Sequence, residues 1–172
     1  DELNPLFDYD AAEREALAAE AENMPSVVIS SQAAGNAVMM GAGYFNPLMG
    51  FMNVADAMGA AESMTLTDGS FFPVPVLCLL ESADGFGVGD RIALRDPNLD
   101  GNPVLAIMDV EAIEEGSDAQ MATMTDKVYR TDDTEHPGVA AFNSQGRVAV
   151  SGPIKVLNFS YFQLDFPDTF RT

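Results

Sequence analysis

This 172-residue sequence has few cationic residues, one cysteine, one histidine and no tryptophan. Eight Lys and Arg stand against 27 Asp and Glu, which gives a formal net charge of -19 at pH 7. Because nucleic-acid phosphates are bound by clusters of Lys and Arg, this charge argues against nucleic acid as a partner. Since the carboxylates are scattered along the chain, we interpret them as a solvated acidic surface, with an acidic docking face as the alternative.

Other scarcities exclude further classes of protein. The single cysteine, Cys78, excludes an internal disulfide and a cysteine-based zinc site. No apolar run approaches the roughly 20 residues that span a bilayer, and the first residues are acidic and polar, unlike a signal sequence. Hydrophobic residues make up 47% of the chain, a composition typical of a folded domain. We therefore expect a cytoplasmic protein with no membrane partner.

Helix signals occur at four places along the chain. The helices are expected to begin at Asp10, Ser31, Asn53 and Ser117, residue types that can cap a helix. Gln120 stands at the capping-box position of the last one. Apolar residues three and four apart predict a buried face on the second, third and fourth helices. The first helix has few large apolar residues, so we expect it to pack loosely.

Strand signals fill the rest of the chain. They cover residues 26–30, which we expect to be buried, and residues 64–80, 91–95, 103–113 and 147–157. The second segment contains an Asp68-Gly69 turn and is predicted to be a hairpin. Pro73 and Pro75 predict an unpaired edge or an irregular bend within it. Gly152-Pro153 is expected to break the last strand. The pattern indicates one α+β domain, a small and partly open mixed β-barrel with helices at its ends.

Five segments carry a resemblance to a known family. Residues 41–56 contain Phe-Asn-Pro-Leu-Met-Gly-Phe-Met, which resembles the signature near the start of ATP sulfurylases (sulfate adenylyltransferases). Four further segments resemble the same family in the same order: residues 66–76, 89–96, 129–139 and 152–157. They contain, in turn, Asp-Gly-Ser-Phe-Phe-Pro, Gly-Asp-Arg-Ile, His-Pro-Gly-Val and Gly-Pro-Ile-Lys.

The resemblance implies that residues 1–172 are the amino-terminal PUA-like domain of such an enzyme. Residues 1–24 would be an amino-terminal helical extension, and residues 158–172 would connect to a missing carboxyl-terminal catalytic domain. Such enzymes transfer adenylate from MgATP to sulfate, giving adenosine 5′-phosphosulfate and pyrophosphate, or run the reverse reaction. Sulfate and a triphosphate bring many negative charges, which Arg, His and Mg²⁺ must offset in the transition state.

The motifs that carry this chemistry in the family are missing from the chain. They are Gln-x-Arg-Asn-Pro followed by two histidines, and a Gly-Arg-Asp loop. The resemblance thus implies no catalytic, cofactor-binding or metal residues here, and a chain that is inactive alone. Its implied role is to support the catalytic domain and subunit packing in a homo-oligomer. The alternative is a free-standing PUA-like binding or scaffold protein without catalysis.

Two short segments have both a chemical and a structural interpretation. His136, beside Asp132, Asp133 and Glu135, is either a general base oriented by a carboxylate or a turn residue before Pro137-Gly138. It could instead hold the domain against its missing neighbour. Residues 96–102 place Asp, Asn and Asp at the first, third and fifth positions of a calcium loop, but the twelfth position is Ile107. We favour a turn for this segment.

The remaining candidates also have a plain structural interpretation. Gly-rich runs at residues 41–43 and 85–89 lack the context of a phosphate loop and are expected to be turns. Cys78 is expected to be a buried, inert thiol. Methionines at residues 39–58 are interpreted as core or interface filler. For the cations, the alternatives are ion pairs and a cradle for ATP or sulfate; the residues concerned are Arg91, Arg95, Lys127, Arg130, Arg147 and Lys155.

Aromatic residues near the carboxyl end distinguish the fragment from the free-standing domain. They are Phe159, Tyr161, Phe162, Phe166 and Phe170. A self-sufficient domain would bury them on itself, whereas a fragment would leave some of them facing an absent neighbour.

Overall fold

The computed structural model of the protein describes residues 3–170, which form six helices and seven strands. The helices are α1 (Ala11–Ala21), α2 (Ser31–Gly41), α3 (Val54–Ser63), α4 (Asp118–Tyr129), α5 (Pro137–Ser144) and α6 (Phe162–Asp165). The strands are β1 (Ser26–Val28), β2 (Gly50–Phe51), β3 (Leu79–Leu80), β4 (Arg91–Arg95), β5 (Val104–Asp109), β6 (Ala112–Glu115) and β7 (Val148–Val156).

The predicted helix starts are confirmed, because each depends on local capping chemistry. The Asp10 carboxylate accepts hydrogen bonds from the first turn of α1, and Asn53 does the same for α3. Helix α4 has the complete capping box between Ser117 and Gln120. Helix α2 is capped by Ser30, one residue before the predicted start. Two short helices, α5 and α6, were not predicted.

The mixed sheet is organised around β7, which has the longest strand pairing. The strand order is β1-β4-β5-β7-β2, and β3 and β6 also pair with β7. Strand β1 runs parallel to β4, and the other pairs are antiparallel. The sheet forms a half-barrel flanked by helices, so the expected α+β class and partly open barrel are confirmed.

The predicted break of the last strand at Gly152-Pro153 is wrong. Gly152 has φ +150°, a conformation that L residues rarely adopt, and β7 continues through it. The glycine instead marks the point where β7 changes partners. Residues 148–151 pair with β6, residues 152–153 with β2, and residues 154–156 with β5.

The predicted hairpin at residues 64–80 is largely irregular. Its Asp68-Gly69 turn is present, because the Asp68 carboxylate accepts from the Ser70 amide and Gly69 has φ +88°. Beyond the turn, regular pairing is limited to a single Thr65–Phe71 bridge and to the two residues of β3. Since Pro73 and Pro75 lack an N–H, the segment between them cannot form a ladder, as their spacing predicted.

The expected burial of residues 26–30 is wrong for Val28, although Ile29 is buried. Val28 on β1 is 51% exposed, because β1 is an edge strand that pairs with β4 alone. The predicted strand at residues 103–113 divides into β5 and β6, and both faces of β5 are buried. Ala106 and Met108 belong to the main core, while Ile107 packs in a smaller cluster on the opposite face.

That smaller cluster contains the contact of α1 with the sheet. Ala21 is buried against Ala93, Ile107 and Leu157, and Leu17 packs partly against the same group. Helix α1 therefore attaches through a few side chains, as its composition predicted. None of the helices formed by residues 3–170 has the length and apolarity required to cross a lipid bilayer.

Candidate functional site

His136 ends a turn, with its amide donating to the Asp133 carbonyl at 3.0 Å, and it also caps helix α5. This supports the interpretation of His136 as a turn residue before Pro137-Gly138. Its Nδ1 accepts a hydrogen bond from the Gly138 amide at 3.2 Å, and its ring lies 5.8 Å from that of Tyr129. In the part of the chain that the structure describes, no carboxylate forms an ion pair with the imidazole. The orienting group that a general base would need is not beside it.

The segment at residues 96–102 forms the predicted turn. Asp96 is buried, and its Oδ1 accepts from the Asn98 amide at 2.8 Å. In a calcium loop, the seventh residue supplies a carbonyl oxygen to the ion. Here that carbonyl belongs to Asn102 and accepts a hydrogen bond from Arg95 Nη1 at 3.2 Å. A guanidinium in this position opposes cation binding, which supports the structural interpretation.

Four of the six cations singled out from the sequence form ion pairs within the domain. Arg91 pairs with Asp109 and Arg147 with Asp118. In the same way Arg95 pairs with Glu22, and Lys155 with Glu13 and Asp8. Lys127 and Arg130 are exposed and have no ion pair among residues 3–170. The expectation of internal pairing is confirmed for these four. Arg91 and Lys155 line one cavity, but their partners Asp109 and Glu13 line it too, which opposes anion binding there.

The glycine runs and the cysteine have structural roles. A Cβ on Gly41 would lie 2.9 Å from Val156 Cγ1, so this glycine allows α2 to pack closely on β7. Gly43, Gly85 and Gly89 have positive φ angles in turns, as expected. Cys78 is fully buried, and burial raises the pKa of its thiol to about 12. The expectation of an inert thiol is therefore supported by its environment.

A cavity of about 520 Å³ lies between α4, α5 and the start of β7. Met121 and Val139 contribute apolar surface, and Glu81, Asp118 and Asp132 line it with carboxylates. The Arg147 side chain in this cavity is paired with Asp118. A cavity with this charge does not suit sulfate or a triphosphate. No nucleophile stands beside a base there.

The carboxyl-terminal aromatic cluster, defined as Phe159, Tyr161, Phe162, Phe166 and Phe170, is the most distinctive surface feature. Ring contacts join its members, with 5.5 Å between the centroids of Phe159 and Phe170 and 5.5 Å between those of Phe162 and Phe170. Phe159 and Phe170 are buried, but Phe166 is 53% exposed and Tyr161 is 37% exposed. The cluster is thus partly buried and partly exposed, which is the pattern expected of a fragment, since a self-sufficient domain was expected to bury all of these rings.

Comparison with known proteins finds a matching domain family and relatives that are similar along the whole chain. The PUA-like domain family matches residues 1–159. The chain is 70% identical over all 172 residues to a sulfate adenylyltransferase of Allochromatium vinosum and covers 43% of that protein. It is 72% identical over the same length to the sulfate adenylyltransferase of the Riftia pachyptila sulfur-oxidizing endosymbiont, covering 39% of it. The chain thus spans about two fifths of the length of the curated relatives it matches.

A solved structure has a similar fold. The hexameric APS kinase from Thiobacillus denitrificans superposes with a TM-score of 0.64, over 91% of this chain and 25% of that one. The sequences are 24% identical, so this likeness bears on the fold alone.

Proposed function

Because this chain belongs to the PUA-like domain family and matches sulfate adenylyltransferases along its whole length, we propose that it is the amino-terminal domain of an ATP sulfurylase. The parent enzyme would transfer adenylate from MgATP to sulfate, forming adenosine 5′-phosphosulfate and pyrophosphate, or catalyse the reverse. The observation that carries the proposal is the 70% identity, which extends over all 172 residues and includes the five segments recognised in the sequence.

The charges of the domain support a location of the chemistry outside this chain. MgATP and sulfate need several cationic groups that converge on their oxygens. In the described residues, Arg91, Arg95, Arg147 and Lys155 are already paired with carboxylates. Arg91 and Lys155 line one cavity, but Glu13 and Asp109 line it with them. The sequence also lacks Gln-x-Arg-Asn-Pro and Gly-Arg-Asp segments. The domain's role would then be to support the catalytic domain and the packing of subunits.

The location and assembly of the parent are part of the same proposal. A single, buried, free cysteine suits the reducing cytoplasm. Exposed apolar residues such as Phe71 and Met64, which lie apart from the aromatic cluster in sequence, support a homo-oligomer, since such residues often mark an interface. Light scattering on the intact enzyme would test the oligomeric state.

The decisive experiment measures mass and activity together. The mass of the native protein, purified from its source, should be well above 18.3 kDa, the mass of these 172 residues. The native protein should also form adenosine 5′-phosphosulfate from ATP and sulfate. The 172-residue fragment, assayed at the same concentration, should show no turnover. A large native protein without adenylyl transfer would refute the enzyme assignment, and turnover by the pure fragment would refute the placement of the chemistry.

The alternative function is a free-standing PUA-like binding or scaffold protein. The burial of Phe159 and Phe170 on the domain itself favours this alternative, whereas the exposure of Tyr161 and Phe166 favours the fragment. A native mass of 18.3 kDa would establish it, and the adenylyltransferase assignment would then be dropped. With a net charge of -19, its partner would be a protein rather than a nucleic acid.

A further inference from the structure

The carboxyl-terminal aromatic cluster is fixed to the domain at both of its ends. Phe159 is buried and its ring stacks on that of Phe7, with 4.4 Å between the centroids. At the other end Phe170 is also buried, and its ring contacts those of Phe159 and Phe162. The segment between them is therefore a folded part of the domain rather than a loose connection.

Between these two anchors the segment turns large apolar side chains outward. Leu164 in helix α6 is 81% exposed, and Phe166, directly after the helix, is 53% exposed. Tyr161, which precedes the helix, is 37% exposed, and its ring stacks on Phe162 at 4.5 Å. Tyr44, 54% exposed, extends the surface through an edge contact with the Phe170 ring. Exposed apolar groups on a rigid base are typical of a docking surface.

The charge of the domain decides between possible occupants of this surface. The exposed residues Leu164 and Phe166 flank Asp165, and the chain carries a net charge of -19. Two copies that met through this surface would bring their Asp165 carboxylates together, and an anionic lipid surface would be repelled by the net charge. A segment of different composition is favoured. The matched relatives are more than twice as long as this chain, so a further segment of the same polypeptide is available to cover the surface.

We propose that Tyr161, Leu164 and Phe166, together with Tyr44, form the surface on which the remainder of the parent polypeptide docks. This inference rests on the proposed function, because it takes the chain to be one domain of a longer enzyme. It adds the location of the contact: one rigid aromatic surface at the carboxyl end of the domain, rather than a flexible linker. The rest of the parent covers this surface, and the contact fixes the orientation of the present domain relative to the rest.

Thiol labelling of the full-length parent tests the proposal. Leu164→Cys places a probe at the centre of the surface, and Val88→Cys places a matched probe in a turn at a residue that is 65% exposed. The native Cys78 is buried, so it does not compete for the reagent. We expect a maleimide to label Cys at position 164 at least about tenfold more slowly than at position 88, with the site identified by mass spectrometry. Equal rates would overturn the proposal.

A second pair of variants and a dilution series separate the remaining outcomes. Leu164→Asp should lower the Tm of the full-length protein by several degrees, while Val88→Asp leaves it unchanged, because only the first buries a charge. Equal Tm shifts would contradict the proposal. Protection that disappears on dilution to nanomolar protein would identify a second copy as the occupant and would likewise overturn it. Adenylyl transfer by the unmodified protein, measured on the same preparation, reports on the proposed function independently of the labelling.

Discussion

Gly50 and Gly152 lie so close across the β2–β7 pair that a Cβ atom on Gly50 would stand 1.9 Å from the Gly152 carbonyl oxygen. Gly152 is constrained a second time, because a Cβ there would stand 1.9 Å from the Asp109 carbonyl oxygen. Its φ of +150° is also rare for residues with a side chain. The two glycines allow β2, β7 and the end of β5 to meet where β7 changes partners.

Gly152→Ala should therefore lower the free energy of unfolding by about 3 kcal/mol, through backbone strain and the contact with Asp109. Gly35→Ala is the matched control, because Gly35 lies within α2 and has no atom within 4 Å of the added Cβ. The control should raise the free energy of unfolding by about 0.5–1 kcal/mol, the helix preference for Ala over Gly. Urea unfolding measures both. Equal changes in the free energy of unfolding would show that the close backbone contacts at Gly152 do not require glycine.

This glycine also shows how far the sequence could predict the fold. Helix starts were predicted well, because a cap such as Asn53 is recognised within four residues. At Gly152-Pro153 the local signal indicated a break, yet the strand continues. The neighbours of Gly152 come from residues about 40 and 100 positions earlier in the chain. Helix α5 was missed for a related reason: His136-Pro137-Gly138 resembles a turn, while Val139 and Phe142 form its buried face only in the folded domain.

The candidate surface could be predicted only in part. Composition identified the aromatic residues at the carboxyl end, since five rings within twelve residues are conspicuous. It could not show which rings are buried, because the burial of Phe159 depends on its contact with Phe7 at the opposite end of the sequence. The contribution of Tyr44 to the same surface likewise requires the tertiary structure.

Lys155 on β7 forms ion pairs with Glu13 of α1 and with Asp8, which precedes α1. Substitution of Lys155 should therefore loosen the attachment of α1. Its Nζ lies 2.7 Å from Glu13 Oε1 and 3.6 Å from Asp8 Oδ2. Because the ion pair is largely solvated, Lys155→Met should lower the free energy of opening α1 by less than about 1 kcal/mol. Amide exchange in α1 should therefore become faster by up to about fivefold. Arg147→Met is the control, since it removes an exposed ion pair with Asp118 of α4, in a cavity that no α1 residue lines. Equal exchange in the two variants would refute this attachment.

The same lysine predicts a pH dependence. The hydrogen bond to Glu13, with the charges of Glu13 and Asp8, raises the pKa of Lys155 above its ordinary value of 10.5. A raised pKa in the folded state stabilises the protein below the unfolded value, and the gain is lost as pH rises through the folded value. The difference in urea midpoint between the unmodified protein and Lys155→Met should therefore be constant from pH 7 to pH 10.5 and shrink above it. A difference that persists at higher pH would indicate apolar packing instead.

Cys78 should be unreactive in the folded protein. Burial raises the pKa of its thiol to about 12, so at pH 8 about one molecule in 10⁴ carries the thiolate, before any steric protection. Iodoacetamide should modify the folded chain at least 10³-fold more slowly than the chain in urea. Since the folded pKa is raised, this group also lowers stability as pH rises above its ordinary value of 9.0. Rapid alkylation under native conditions would show that the β3 region opens readily.

His136 provides the sharpest test between a chemical and a structural role. As the cap of α5 it offers Nδ1 to the Gly138 amide, and Asn can replace this acceptor whereas Ala cannot. His136→Ala should lower the free energy of unfolding by about 1 kcal/mol, and His136→Asn should restore most of it. Both variants of the full-length protein should retain adenylyl transfer, because the imidazole has no carboxylate partner among residues 3–170. A large loss of turnover in His136→Asn, with stability intact, would instead mean that the imidazole itself acts in the reaction or in contact with the catalytic domain.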